Sequence, residues 1–244
     1  MLVNYAHRGA SAYAPENTML AFNKAIQLEA TGIELDLQKT KDGKIVIFHD
    51  EYIDKKSNST GKIEDYTYNQ LLELDFGSWF DDKYKGEHIV LFEDFAKEFL
   101  NKELTFAIEL KVKGIENETL EIIKKYATHD NIYITSFSYD VLKNIRKIDS
   151  NIKIGWLIKE EINENNLEQL LKIKGNQICP KANLVTEESI ALAKEYGIGV
   201  RLWKVSDEEI IRKVYKLDIE GMTVNFPDKL NNLLKTDKKT KSMI

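Results

Sequence analysis

From Leu104 onward, short apolar runs of strand length alternate with segments whose apolar residues recur at helical spacing. That rhythm restricts the fold more than any other feature of the 244 residues. Strands are predicted at Leu104–Leu110, Ile132–Thr135, Ile152–Ile158, Gln177–Cys179, Ile198–Trp203 and Gly221–Val224. Helices fall between them at Glu116–Tyr126, Tyr139–Ile148, Asn165–Ile173, Glu187–Tyr196 and Asp207–Tyr215, with a last one after Pro227. Such alternation implies a parallel sheet, because a parallel neighbour is reached only by a crossover long enough to hold a helix. Two earlier strands, Leu2–Ala6 and Ile33–Lys39, bring the number to eight if Ile45–Phe48 is the returning arm of a hairpin. The expected fold is therefore α/β, a closed (β/α)8 TIM barrel, and the chain length suits one. No repeat, low-complexity tract or linker marks a second domain, so residues 1–244 read as a single domain.

Between Glu51 and Gly86 the rhythm is lost. Ser57-Asn58-Ser59-Thr60-Gly61 reads as a turn or loop, Tyr68–Leu74 as a short helix, and Gly77–Gly86 as an aromatic, charged loop with Trp79, Phe80 and Tyr84. A long irregular stretch in a compact domain is more often functional than idle. Phe92–Leu100 then has the pattern of an amphipathic helix.

Charge and hydropathy narrow the function classes. A net charge of −5 argues against a broad basic face for nucleic acid. Lys235, Lys238, Lys239 and Lys241 gather at the end of the chain and read as a solvated tail. No apolar run approaches the roughly 20 residues that cross a bilayer, so no stable membrane insertion is expected. The chain enters its first strand by Leu2 without the pattern of a signal peptide, and its lone cysteine, Cys179, fits a reducing compartment. The cytoplasm is the expected location.

The chemistry concentrates early. Leu2–Tyr5 runs into His7-Arg8-Gly9, and Pro15, with Asn17 and Thr18 as candidate caps, opens a helix through Leu20, Ala21, Ala25 and Leu28. Asn17 reads as a helix cap. In the next strand Ile33, Leu35 and Leu37 face one way, and Glu34 and Asp36 the other. Two carboxylates on one face repel each other and lose hydration unless something positive lies between them, and a bound cation is the simplest answer. Asp42-Gly43 is a strong hairpin signal. A two-residue turn there would pair Lys41 with Lys44 and set His49 opposite Asp36. On Phe106–Lys111, Ala107, Glu109 and Lys111 share a face, so three carboxylates from two strands can converge. Oxygen-only ligation selects Ca2+ or Mg2+, with Mn2+ also suited, and disfavours zinc. Of the four histidines, His7 and His49 sit at strand ends facing this point, whereas His88 and His129 lie in polar loop or helix-end surroundings.

Taken together, Ala6-His7-Arg8-Gly9, Pro15-Glu16-Asn17-Thr18, Gly32-Ile33-Glu34-Leu35-Asp36-Leu37, Thr40-Lys41-Asp42-Gly43, His49-Asp50, Glu109-Leu110-Lys111 and Gly221-Met222-Thr223 with Asn225-Phe226-Pro227 give a chain that resembles the bacterial glycerophosphodiester phosphodiesterase family. The resemblance runs from about residue 6 to 228. It implies a barrel of the phospholipase C-like phosphodiesterase type, with a small insertion at about 51–86 over the mouth that shapes substrate access. It implies that Glu34, Asp36 and Glu109 hold the divalent metal. It also implies that His7 and His49 act as acid and base on a small-molecule glycerophosphodiester, releasing sn-glycerol 3-phosphate and an alcohol. The glycerol 2-hydroxyl could serve as first nucleophile through a cyclic phosphate. Arg8 and Lys111 would bind phosphate oxygens, Glu16 would orient Arg8, and Trp203 would pack on the glycerol carbons. Which histidine is acid and which base, the alcohol and the oligomeric state stay open. The chain departs from the family after Trp203, where it has Lys204-Val205-Ser206 instead of threonine, a hydrophobic residue and asparagine. Two other readings share the barrel: a phospholipase D of sphingomyelinase type, against which the single cysteine argues, and a non-catalytic phosphodiester-binding module, which would be expected to lack a histidine or metal ligand.

Overall fold

The structure, a computed structural model, describes residues 2–127 and 129–241, with side chains over 2–127 and 130–237. Eight parallel strands close on themselves in the order β1 (Val3–His7), β2 (Gly32–Lys39), β5 (Thr105–Leu110), β6 (Ile132–Ser136), β7 (Lys153–Leu157), β8 (Gln177–Cys179), β9 (Gly199–Val205) and β10 (Gly221–Val224). β10 pairs back onto β1, and β1 onto β2, which completes the barrel. Outside it lie α1 (Met19–Gln27), α3 (Phe92–Phe99), α4 (Glu116–Tyr126), α5 (Tyr139–Ile148), α6 (Glu164–Lys172), α7 (Glu187–Glu195), α8 (Glu208–Val214) and α9 (Pro227–Lys241). Each predicted strand and helix has its counterpart, and the closed barrel is the predicted one. Among the described residues no helix is long and apolar enough to cross a membrane.

The strand alternation explains the core. Outward residues such as Ile33, Leu35, Leu37, Ile108 and Ile134 are buried under the helices, where Phe22, Phe95, Phe99 and Phe106 interlock edge to face. The inward face is polar instead. Tyr5, Thr135, Gln177 and Arg201 are buried, and Nη1 of Arg201 donates to Oγ1 of Thr223 over 2.8 Å. Barrel interiors are usually filled by branched apolar layers, so this polar lining is an unusual use of the space.

Beyond β2 the chain turns back as β3 (Ile45–Ile47), and a third antiparallel strand, β4 (Val90–Leu91), which the sequence pattern did not reveal, pairs with β3. The turn corrects one expectation. Leu37 pairs with Ile47 and Lys39 with Ile45, so the register places Phe48, not His49, opposite Asp36; the Phe48 N–H donates to the Asp36 carbonyl at 2.9 Å. The physical reason lies in the backbone. A two-residue turn of the type favoured by Asp-Gly needs positive φ at both positions, and only Gly43 has it, at +80°. The loop therefore holds three residues, Lys41 to Gly43, with the Thr40 N–H donating to the Lys44 carbonyl and the Thr40 hydroxyl to Asp42 at 2.6 Å.

The insertion between β3 and β4 holds α2 (Tyr68–Leu72) and packs its own apolar cluster of Ile53, Ile63, Leu71, Phe76 and Ile89 against Val46 and Phe48. Of the terminal lysines, Lys235 pairs with Glu29 from within α9; the side chains of Lys238, Lys239 and Lys241 lie outside the described residues.

Candidate active site

Parallel register brings the site together at the carboxyl ends of the strands, where barrel chemistry collects. His7 lies abreast of Glu34, and Asp36 abreast of Glu109. Oxygens of Glu34, Asp36 and Glu109 lie within 4.8 Å of one another, and all three residues are buried. Three carboxylates so close cannot all stay charged without help. Burial, then repulsion from Asp36, raises the Glu109 carboxyl to about 7, and the same two causes lift Glu34 well above its ordinary range. Asp36 goes the other way, to about 2: burial opposes its charge, but Arg8, Lys111, His49 and the hydrogen bond from Asn17 outweigh it.

The cations around Asp36 are held tightly. Arg8 Nε lies 3.3 Å from Asp36 Oδ2, and Lys111 Nζ lies 2.9 Å from Glu109 Oε1 and 3.7 Å from Asp36 Oδ1. The Arg8 backbone is left-handed, at φ +55°, and its N–H donates to Glu34 Oε2 at 3.2 Å. Gly9 follows at φ +80°, where a Cβ would run into the backbone of Ala21. Glu16 accepts from Arg8 Nη1 at 2.8 Å. These contacts fix a guanidinium beside the acids in a conformation that few residues adopt.

Asn17 corrects a second expectation. The α1 cap is Thr18, whose hydroxyl accepts from the Ala21 N–H, whereas Asn17 sits at φ +59° and donates through Nδ2 to Asp36 Oδ2 at 3.0 Å. It supports the acid cluster and does not cap the helix. Despite these donors, Oδ1 of Asp36 is buried without a hydrogen-bond partner, an orphan that a hard cation among three carboxylates would satisfy. The donor set thus fits a divalent cation.

The two imidazoles flank the cluster differently. His7 Nε2 lies 3.9 Å from Glu34 Oε2, and its Nδ1 donates to the carboxamide oxygen of Asn225 at 2.6 Å. Burial and then the Arg8 charge push its imidazolium below the ordinary value. His49 stands on the Asp36 side, close enough for its charge to steady that carboxylate, although the hairpin register does not pair the two. Its Nδ1 meets Asp50 Oδ1 at 2.6 Å, and the Asp50 carbonyl accepts from Gln38 Nε2. A groove of about 530 Å3 adjoins His49 and Lys111, with Thr40, Glu51, Lys62 and Lys113 among its other lining residues and none of the three acids. His88 is exposed on the insertion, and the His129 side chain lies outside the described residues.

A model of the glycerophosphoryl diester phosphodiesterase family matches residues 7–229, which takes in every group just described. The chain belongs to that family. A glycerophosphodiester phosphodiesterase of Caldanaerobacter subterraneus is 34% identical over 236 residues, covering 94% of this chain and 96% of that one. Among solved structures, the glycerophosphodiester phosphodiesterase of Thermotoga maritima is 30% identical with a TM-score of 0.79, covering 96% and 99% of the two chains. An Oleispira antarctica phosphodiesterase, solved with the product sn-glycerol-3-phosphate, superposes with a TM-score of 0.86 at 24% identity over 96% and 97%.

Three groups of this family member escaped the sequence reading. Asn225 was noticed only as part of a motif, yet it fixes His7. Arg201 is a lone charge between Val200 and Leu202 on an inward strand position, a signal that alternation alone could have raised. Lys56 comes from the irregular insertion: its ammonium lies 3.4 Å from Glu16 Oε2 and 3.4 Å from the centre of the Trp79 ring. No periodicity points to it.

Proposed function

We propose that the protein hydrolyses glycerophosphodiesters to sn-glycerol 3-phosphate and an alcohol, that Glu34, Asp36 and Glu109 hold a divalent cation, Ca2+ or Mg2+ first and Mn2+ next, and that His7 and His49 exchange the protons. In this reading the barrel and its insertion work as one domain. The observation that carries it is the closed set of three converging carboxylates, two cations and two imidazoles at the mouth of a barrel of this family. A bound divalent cation would draw off phosphoryl charge there. Arg8 and Lys111, paired with the acids but near the surface of the cluster, bind the non-bridging oxygens and stabilise the charge that builds in the transition state. Glu16 holds the Arg8 fork in place, and Trp203 offers an apolar face to the glycerol carbons.

The imidazole partners favour a division of labour. A neutral carboxamide oxygen on Nδ1 fixes His7 as the tautomer with a free lone pair at Nε2, and its basicity is available for the attacking hydroxyl's proton. The Asp50 carboxylate at Nδ1 holds the His49 ring, and His49 gives a proton to the leaving alkoxide. Measuring alcohol release from glycerophosphocholine or glycerophosphoethanolamine, with and without chelator, tests the activity. Turnover indifferent to both chelation and His7→Ala would overturn it. The acid role is tested separately: a p-nitrophenyl leaving group, which needs no proton, is expected to recover most of the activity of His49→Gln and none of that of His7→Gln.

A further inference from the structure

The strands opposite the acids also carry side chains to the mouth. Thr135 of β6 lies abreast of Glu109 and of Gly155, Gly155 abreast of Gln177, and Gln177 abreast of Gly199. Phe137, Lys159, Lys181 and Trp203 follow those four at even spacing, so they continue the inward phase beyond the carboxyl ends of β6 to β8 and along β9. The Trp203 indole N–H is shared by the carbonyls of Ile158, at 3.2 Å, and Cys179, at 3.0 Å, which lays the ring across the ends of β7 and β8. Its edge meets Phe137, with ring centres 5.2 Å apart. Two half-buried aromatic rings therefore form a continuous apolar floor.

An ammonium group stands over each ring. Lys159 Nζ is 5.3 Å from the centre of Phe137, and Lys181 Nζ is 5.5 Å from the centre of Trp203. Arg8, Lys56 and Lys111 are each committed to a carboxylate, but among the described residues neither Lys159 nor Lys181 has one within 4 Å. Glu160 and Glu161 follow Lys159 and are exposed without pairing with it. With the Trp203 face given to the glycerol carbons, we infer that Phe137 at its edge and the two lysines form a subsite for the alcohol arm of the substrate, and that it selects alcohols carrying a further negative charge over cationic ones such as choline or ethanolamine. The inference rests on the phosphodiesterase reading of the same mouth.

The physical case has two parts. A trimethylammonium or primary amine would be drawn to the aromatic faces, but both already lie under a cation, so it would have to displace the lysines and then sit beside like charge. A phosphate or carboxylate on the alcohol meets two ammonium groups that no described carboxylate within 4 Å neutralises, an attraction that salt screens.

Three diesters with a graded charge on the alcohol test this: glycerophosphocholine, glycerophosphoinositol and glycerophosphoinositol 4-phosphate, each with excess Mg2+ or Ca2+. The expected order of kcat/KM rises along the series, with about a tenfold gap between the ends that narrows at high salt. In K159Q/K181Q that gap is expected to fall to about twofold, while K97Q/K143Q, which removes two exposed lysines elsewhere, keeps it. Thermal unfolding of each variant separates a lost preference from lost structure, and K159R/K181R is expected to restore the order. Equal values for the three diesters, or an order untouched by K159Q/K181Q, would overturn the inference alone. No turnover of any diester with any cation would overturn the phosphodiesterase reading and the subsite with it.

Discussion

The two ends of the barrel make opposite use of polar side chains. At the carboxyl end, charges are packed so that each strains against its neighbours: a carboxyl raised to about 7 lies beside one lowered to about 2, and a buried carboxylate oxygen lacks a donor. At the amino end lies a larger cavity, about 790 Å3, lined by Tyr5, Tyr133, Lys153, Gln177 and Glu220 among others. Its charged groups have partners, although Tyr5 Oη and Gln177 Oε1 are buried there without a hydrogen-bond partner. Gln177 Nε2 donates to Glu220 at 2.6 Å, Lys194 pairs with Asp218, and Lys153 donates to the Asp130 carbonyl at 2.8 Å. The larger void thus belongs to the end whose charged groups have partners, and the smaller groove flanks the end where carboxylates crowd one another, reaching it through His49 and Lys111. Concave volume alone is a poor guide to the site here; unresolved charge is a better one.

Removing one carboxylate from each end should therefore give very different results. Asp36 anchors Arg8, Lys111 and Asn17 and carries the settled negative charge of the cluster. Asp36→Asn is expected to lower kcat/KM for glycerophosphocholine by about a thousandfold at saturating cation. A loss below tenfold would mean that the mouth is not the reacting centre.

The next effect is a coupling of cation and protons confined to the mouth. The raised Glu34 and Glu109 hold protons through a range where an ordinary glutamate has lost them, so without cation the folded state binds more protons than the unfolded one. The contribution of Glu109 to stability consequently falls as pH rises from about 4.5 to 7, and that of Glu34 falls in the same direction. A cation must displace those protons, so its affinity rises with pH over that window. At pH 8, cation at about a hundred times its Kd should add about 2.7 kcal/mol. Near pH 5 the same concentration should add little, because the raised acids are protonated and the cation must displace those protons. Thermal unfolding with Mg2+ or Ca2+ at both values reads this directly. Glu109→Gln should flatten the dependence, and equal stabilisation at both pH values would remove the cation from the cluster.

How much of this contrast was legible beforehand follows from the range of each signal. Strand alternation is local and strict, so Glu34, Asp36, Glu109 and Lys111 could be placed on one face, and the rhythm of strands and helices led to the barrel. The hairpin register depended on one dihedral, that of Asp42, which no pattern reports; a three-residue loop moved Phe48 into the position read for His49. Asn17 was misread because asparagine serves equally as a cap and as a left-handed residue, and the choice fell to Thr18 only once the loop had folded. Contacts across the insertion, such as Lys56 with Glu16 and Tyr84 with the Tyr13 carbonyl at 2.8 Å, have no periodicity to announce them.

Lys56 provides the third prediction, smaller because it acts at one remove. Glu16 divides its two oxygens between Arg8 and Lys56, and the Lys56 ammonium is pressed on the Trp79 ring. The insertion thereby sets how firmly Glu16 steers the Arg8 fork. Lys56→Met keeps the aliphatic stem and deletes the charge; it should lower kcat about fivefold with little change in KM or melting temperature, since misplacing a phosphate ligand costs rate before binding. Lys56→Arg should recover most of the loss. A change in KM alone would make Lys56 part of substrate access and separate it from Arg8.

The smallest expected effect lies back at the amino end, and it is the sharpest test of the contrast. Glu220→Gln removes a charge from the larger cavity but leaves an amide oxygen able to accept from Gln177, so the hydrogen bond survives the change. Stability should shift by no more than about 1 kcal/mol. Any effect on catalysis has to travel along the barrel axis through Arg201, whose charge is felt by Glu34 above it and which already donates to Thr223. That path is a single weak electrostatic link, so kcat/KM should stay within about twofold of the parent value. If Glu220→Gln instead depressed turnover as Asp36→Asn does, the polar interior would have to be treated as one continuous machine from end to end, and the division between a finished and an unfinished end of this barrel would fail.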